Sequence, residues 1–186
     1  MNNANHSAAS QWTLDPMHTT VMFTVRHLMI TNVHGVFESL RGTARYDAQH
    51  PEQTEVAIEI AAASIDTRQP QRDAHLRSPE FFDADAHPTI TFRSTRIGVA
   101  GGRIQDIAGA LTIRGTTREV VLAVDEISPD QRDHNGKLRI GASASAKILR
   151  SEFGMTYNRV LEAGGFAVSD EIKLKLDVSL VNDAAG

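Results

Sequence analysis

Apolar and polar residues exchange places at every second position along most of this chain, the period of a β-strand with one face buried and the other in water. The clearest run is 171–180: Ile172, Leu174, Leu176, Val178 and Leu180 share one face, Glu171, Lys173, Lys175, Asp177 and Ser179 the other. Val56, Ile58 and Ile60 against Glu55 and Glu59 repeat it. With similar runs at 20–28, 36–46, 88–97, 103–113, 118–127 and 137–149, the pattern predicts about eight strands of about 8–12 residues each. In 120–124 (VVLAV) both faces are apolar, so the pattern leaves open which one turns inward.

Turn chemistry punctuates these runs. Asn135-Gly136 suits the type I′ turn of a tight hairpin, Gly101-Gly102 and Gly164-Gly165 can do similar work, and Gly115 closes the run LTIRG. Connections this short imply antiparallel neighbours. One segment breaks the rhythm: residues 64–88 are polar and proline-punctuated, with a short helix expected over Gln71–Arg77 that Pro79 ends, followed by Phe81-Phe82. Many short strands with one helical excursion predict an all-β barrel rather than a sandwich. Residues 1–10 read as a disordered polar leader, and residues 11–183 as one domain.

Composition sharpens this picture. A chain of 186 residues is long enough for a core without disulfides or metals, and cysteine is absent, which removes thiol and iron–sulfur chemistry. A net charge of −4 with scattered Lys and Arg argues against nucleic acid. Aromatic residues make only 5% of the chain, while the runs 141–146 (GASASA) and 107–111 (IAGAL) are small. Such a barrel is expected to keep internal space for an apolar ligand. The first residues lack a basic stretch and an apolar stretch, so a cytoplasmic protein is expected. No apolar run reaches the ~18 residues of a membrane-spanning helix.

The familiar enzyme motifs are missing, so the reading expects a binding protein with no catalytic residues and no cofactor. His75, Asp73, Asp83, Asp85 and His87 crowd the insert, but their spacing defines no metal geometry, and no metal is expected. The insert suits a barrel mouth, with Arg72, His75 and Arg77 as donors beside apolar Leu76, Phe81 and Phe82. Equally, the two Phe rings could plug the barrel end while the charges face water. Arg150 could bind a polar head group or pair with Glu152 or a neighbouring strand. Trp12 is expected to pack over the open end of the sheet, with stacking on a ligand as the other reading.

Taken in order, 12–18 (WTLDPMH), 23–37 (FTVRHLMITNVHGVF), 64–67 (SIDT), 72–83 (RDAHLRSPEFFD), 87–95 (HPTITFRST), 111–120 (LTIRGTTREV) and 150–154 (RSEFG) resemble the YceI-like, polyisoprenoid-binding family from about Trp12 to Val181. Thr19, Glu152 and Glu119 stand where that family commonly has serine, aspartate and proline. The resemblance implies an extended, lipocalin-like antiparallel barrel of eight strands with a short helical insert and an elongated cavity for a long isoprenoid chain or isoprenoid quinone. It also implies a homodimer and roles in transport, storage or stress; many members are periplasmic. The chain would lie against Phe23, Val25, Phe37, Leu76, Phe81, Phe82, Ile90, Phe92, Leu111 and Phe153, its head near His75, Arg77 or Arg150. Two rival readings stand beside it: an enzyme on an apolar substrate using His75 with Asp73 or Asp83, and an interaction module with a solid barrel.

Overall fold

The structure, a computed structural model, describes residues 10–159 and 167–182. The expected leader and the Gly164-Gly165 turn fall outside these residues, except Ser10, which opens the first strand. The alternating runs form β1 (Ser10–Leu14), β2 (Thr20–His27), β3 (Thr31–Phe37), β4 (Leu40–Tyr46), β5 (Glu55–Ala61), β6 (Ile65–Asp66), β7 (Thr89–Ala100), β8 (Arg103–Ile113), β9 (Thr116–Ile127), β10 (Gln131–Arg132), β11 (Leu138–Leu149) and β12 (Val168–Asn182). The insert forms one helix, α1 (Pro70–Arg77).

A closed eight-stranded antiparallel barrel runs β1–β4–β5–β7–β8–β9–β11–β12 and back to β1. Kinks after β1, β3 and β5 let the chain continue as β2, β4 and β6, and the pairings β12–β2, β2–β3 and β3–β6 lengthen the wall toward α1. Pro16 explains the first kink: it has no N–H for the ladder, and a 3₁₀ turn at Pro16–His18 replaces the strand. The Thr19 hydroxyl then accepts the Ser179 N–H at 3.0 Å, standing in for a backbone carbonyl. At the other two kinks, bonds from Glu38 N–H to Ser64 O and from Ala61 N–H to Ser39 O keep the sheet paired.

Asn135-Gly136 does sit in a hairpin, but the expected type I′ turn is corrected. Only Gly136 has positive φ there, at +81°. Asp133 N–H bonds Lys137 O and Gly136 N–H bonds Asp133 O, giving a three-residue loop that ends in a left-handed glycine. The cause is Asp133, whose Oδ1 accepts the N–H groups of Asn135 and Lys137 and holds the first half of the loop right-handed.

Asp15 ties the first kink to this hairpin. Its carboxylate accepts Met17 N–H, lies 2.8 Å from His18 Nδ1 and meets Arg139, whose Nε reaches Asp133 at 2.8 Å. The Arg139 guanidinium, with His18 behind it, holds the Asp15 pKa down at about 2 from 3.8; the same arginine lowers that of Asp133. Both carboxyls thus titrate below their unfolded values, so their stabilisation is full at neutral pH and is lost as pH falls from about 4 toward about 2. The melting temperature should drop across that window. Asp15→Asn should lower it near neutrality and flatten the acid drop; a curve parallel to the parent's would exclude the linkage.

Buried apolar side chains line the barrel toward both ends. Trp12, Ala44 and Ile140, with Tyr46, Ile127 and Leu138 against them, close the end away from α1. Trp12 is packed inside the wall, its indole Nε1 without an acceptor among the described residues. The helix end is filled by Phe37, Leu40, Ile65, Ala84, Ile90, Ile148 and Phe153, among others. In β9, Val120 and Leu122 face inward while Val121 is exposed, which resolves the doubly apolar run.

Candidate functional site

The helix α1 is not strongly amphipathic, and polar straps rather than an oily face seat it on the barrel. Gln69 caps it by accepting the Gln71 and Arg72 N–H groups, and Pro70 occupies the first turn, where no N–H is needed. Buried Asp73 accepts the N–H and hydroxyl of Thr67. Arg72 donates to the Thr67 hydroxyl and carbonyl at 2.7 and 2.8 Å, and Arg77 to the carbonyls of Ala63 and Ile65 at 2.7 and 2.9 Å. The helix is thereby held where the sheet opens, presenting Leu76 to the interior.

Two adjoining cavities lie beneath it, with Phe23, Val25, Leu76, Phe81 and Val168 in both walls. The outer one, about 280 Å³, is ringed by His27, Val33, Thr67, Arg72, His75, Tyr157, Arg159 and Ala167. The inner one, about 130 Å³, is walled by aliphatic and aromatic carbon from Val21, Phe37, Ile60, Phe82, Ile90, Leu111, Ile113, Ile148, Met155, Ile172 and Leu174, with Arg150 the one charged residue on its border. His75 meets Phe81 and Tyr157 edge-on, and these two rings are tilted to each other, at centroid distances of 4.9–5.3 Å around the outer cavity; the Phe23–Phe37–Phe82 chain lines the inner one at 5.7–5.9 Å. The few aromatics are concentrated where the barrel opens.

A third cavity, about 90 Å³, lies toward the Trp12 end, between Leu14, Val56, Ile58, Ile107, Leu122 and Leu176 and the small residues Ala142, Ser143 and Ala144. The barrel is therefore fuller than its small-residue run implies, because large aliphatic side chains face that run across the interior. Phe92 is buried on the row between this cavity and the inner one and lines neither. Cα register places Ile60 opposite Ile90 and Ile58 opposite Phe92, which in turn faces Leu111. Ile60 and Ile90 line the inner cavity and Ile58 the third, so the Phe92 row is the boundary. The ring lies over Gly109, where any Cβ would overlap it.

Eight of the ten lining residues expected from sequence line the inner cavity: Phe23, Val25, Phe37, Leu76, Phe81, Phe82, Ile90 and Leu111. Phe92 and Phe153 are buried in the core beside it. Of the three expected head-group residues, His75 stands at the outer rim. Arg77 is turned to backbone carbonyls. Arg150 is buried and donates to the carbonyls of Met155, Tyr157, Val168 and Ser169, with its pKa lowered by burial. It therefore forms neither of the ion pairs considered from sequence.

The proposed His75–Asp73 acid–base pair is corrected too. Residues two apart on a helix do not face each other; Asp73 turns inward to Thr67, while His75 Nε2 pairs with Glu80. The aspartate Asp83 sits at a left-handed turn (φ +48°) whose carbonyl accepts from Ala86 and His87. Among the described residues, no three His, Asp or Glu side chains gather as metal ligands, and no helix is long and apolar enough to cross a membrane. The missed wall residues Ile172 and Leu174 were within reach, because they belong to the alternating run paired with Val25 and Phe23. Met155, Tyr157 and Arg159 lie on an irregular segment with no period to mark them.

Residues 12–180 match the YceI-like domain family. A UPF0312 protein of Azotobacter vinelandii is 32% identical over 154 residues, 82% of this chain and 80% of its own. BcnA of Burkholderia cenocepacia has the same fold, with a TM-score of 0.78 at 22% identity over 89% of this chain and 98% of its own. So does a polyisoprenoid binding domain from Saccharophagus degradans implicated in plant cell wall breakdown, with a TM-score of 0.65 at 15% identity over 94% and 99% of the two chains. With the family match running through nearly every strand of the barrel and through the insert that forms its mouth, this chain belongs to the YceI-like family.

Proposed function

We propose that this barrel is a carrier that holds a long apolar chain of isoprenoid type in its interior and keeps the chain's polar head at the outer rim. The observation that carries the reading is the inner cavity, walled by carbon and continued outward by a cavity whose rim gathers Arg72, His75, Tyr157 and Arg159. Burial of each CH₂ contributes about 0.8 kcal/mol, and the rim supplies donors for a polar or anionic head. The polyisoprenoid binding domain of the same fold supports the ligand class. Ligand pockets commonly measure about 300–1,000 Å³. The two adjoining cavities stand at the low end of that range, so a long chain enters by displacing side chains of the wall, Phe23, Leu76 and Phe81 first because they border both cavities.

Native mass spectrometry after incubation with a polyprenol or a polyprenyl quinone is expected to show one ligand per barrel. Leu76→Asp, which sets a carboxylate in the wall of both cavities, should weaken uptake more than tenfold, because an unpaired charge is costly among apolar groups. Turnover of the added lipid would favour an enzyme. Absence of any adduct, or uptake unchanged in the variant, would overturn the carrier reading.

A further inference from the structure

The hairpin joining β2 to β3 breaks two rules at once. Its tip, Leu28-Met29-Ile30, is 36%, 55% and 69% exposed, and no other three successive large apolar residues stand exposed among the described residues; Met17, Val99, Val121 and Leu149 are single. Leu28 and Met29 also both have positive φ, +50° and +61°, and Ile30 N–H bonds His27 O at 3.0 Å. This is the mirror-image turn of tight hairpins, whose central positions favour Asn-Gly because side-chain-bearing residues are strained there. Two bulky apolar residues make the turn harder to form, and each leaves a third or more of its surface exposed. Strain of this kind, kept together with exposed carbon, points to a use outside the chain.

The neighbours indicate which use. Leu28 N–H bonds Ala167 O, and Ala167 N–H bonds Arg159 O, so the tip is stitched to the rim of the outer cavity, where His27, Arg159 and Ala167 stand. Arg26 donates to Met29 O and Asn32, and Arg159 to the Tyr157 hydroxyl; neither has a carboxylate partner among the described residues. Among the described acids nearby, Asp170 accepts the N–H and hydroxyl of Ser151, and Glu80 pairs with His75 while also acting on Arg159 through space. An apolar tip beside the guanidinium groups of Arg26 and Arg159 has the chemistry of a shallow insertion into a bilayer with anionic headgroups.

We propose that Leu28-Met29-Ile30 is a membrane-docking tip that brings the barrel mouth against an anionic lipid surface, from which the apolar chain is loaded or to which it is returned. This rests on the carrier reading for its purpose, but its test does not. A tip of three residues gives weak, reversible attachment, as a carrier that must leave the bilayer requires.

The test is flotation of the full chain with phosphatidylcholine vesicles with and without phosphatidylglycerol, for the parent and for the double variant Leu28→Asn/Met29→Gly. The parent is expected to float with anionic vesicles and to be released by salt. The variant should lose at least tenfold in binding while melting at a higher temperature, because Asn-Gly relieves the turn; a tip with a merely structural role would move the two readouts together. Arg26→Gln should reduce only the salt-sensitive part. Polyprenol uptake from detergent solution should be equal in parent and variant; its failure in both, with vesicle binding intact, would overturn the carrier reading and leave the docking tip standing. No flotation of the parent, equal flotation of the variant, or a parent dimer that the variant dissociates would overturn the proposal, the last by assigning the tip to a second copy of this chain.

Discussion

Phe92→Ala is expected to lower stability by about 3–5 kcal/mol, the cost of truncating a buried aromatic side chain, and at the same time to change which ligands the barrel accepts. The ring is 7% exposed and lies on the row between the inner cavity and the one beyond it. Its removal uncovers Gly109 and is expected to open space toward both cavities, because glycine has no side chain to refill it. A longer apolar chain should then gain affinity relative to a shorter one. Phe92→Leu keeps most of the volume and should cost less while shifting the length preference the same way. Chain-length series read by native mass spectrometry, with chemical denaturation alongside, separate the two effects. Loss of stability with an unchanged length preference would mean that the chain already passes Phe92, or stops short of it.

The second large effect belongs to Arg150. Its guanidinium satisfies carbonyls of Met155, Tyr157, Val168 and Ser169, and so fastens the segment after β11 to the start of β12. Arg150→Ala leaves these acceptors short of donors in a site 5% exposed, and each unsatisfied buried group costs about 1–3 kcal/mol. Since water can reach part of the site, a net loss of about 3 kcal/mol is expected, a fall in melting temperature of about 6–12 °C for a domain of this size. The wall residues Met155, Tyr157 and Val168 should lose their order with it, so ligand uptake should weaken as well. Arg150→Lys should recover little, because one ammonium cannot span four carbonyls set in a fork. If Arg150→Ala melts like the parent but no longer binds ligand, the arginine is a head-group contact and not a strut.

These two side chains show how far the sequence could be read. Phe92 lies on an alternating strand, so its inward direction was legible; its position as a boundary depends on the stagger of β5, β7 and β8, which alternation does not encode. Arg150 was singled out by its place after the small-residue strand, but charge alone suggested a ligand or a carboxylate partner. Its real partners are backbone carbonyls, the one kind of acceptor that no side-chain pattern reveals. The same holds for His75. Its place in the insert was visible, whereas its pairing with Glu80 rather than Asp73 follows from the helix turning the two residues to different faces.

By itself, the sequence determined that this chain forms an antiparallel barrel with one helical insert and which residues turn inward on the singly apolar strands, because period-two burial and short turns are local properties. Small residues on β11 and scarce aromatics also correctly implied that internal space would remain. Only the tertiary structure decided how much space and where. Leu14, Val56 and Ile58 come from strands far from β11 in sequence, yet they line the same interior space as its small residues. The aromatics gather at the helix end because β2, β3, α1 and the segment after β11 converge there. Cavity volume is what remains when side chains from every wall have been placed, so it is a property of the closed barrel and of no single strand.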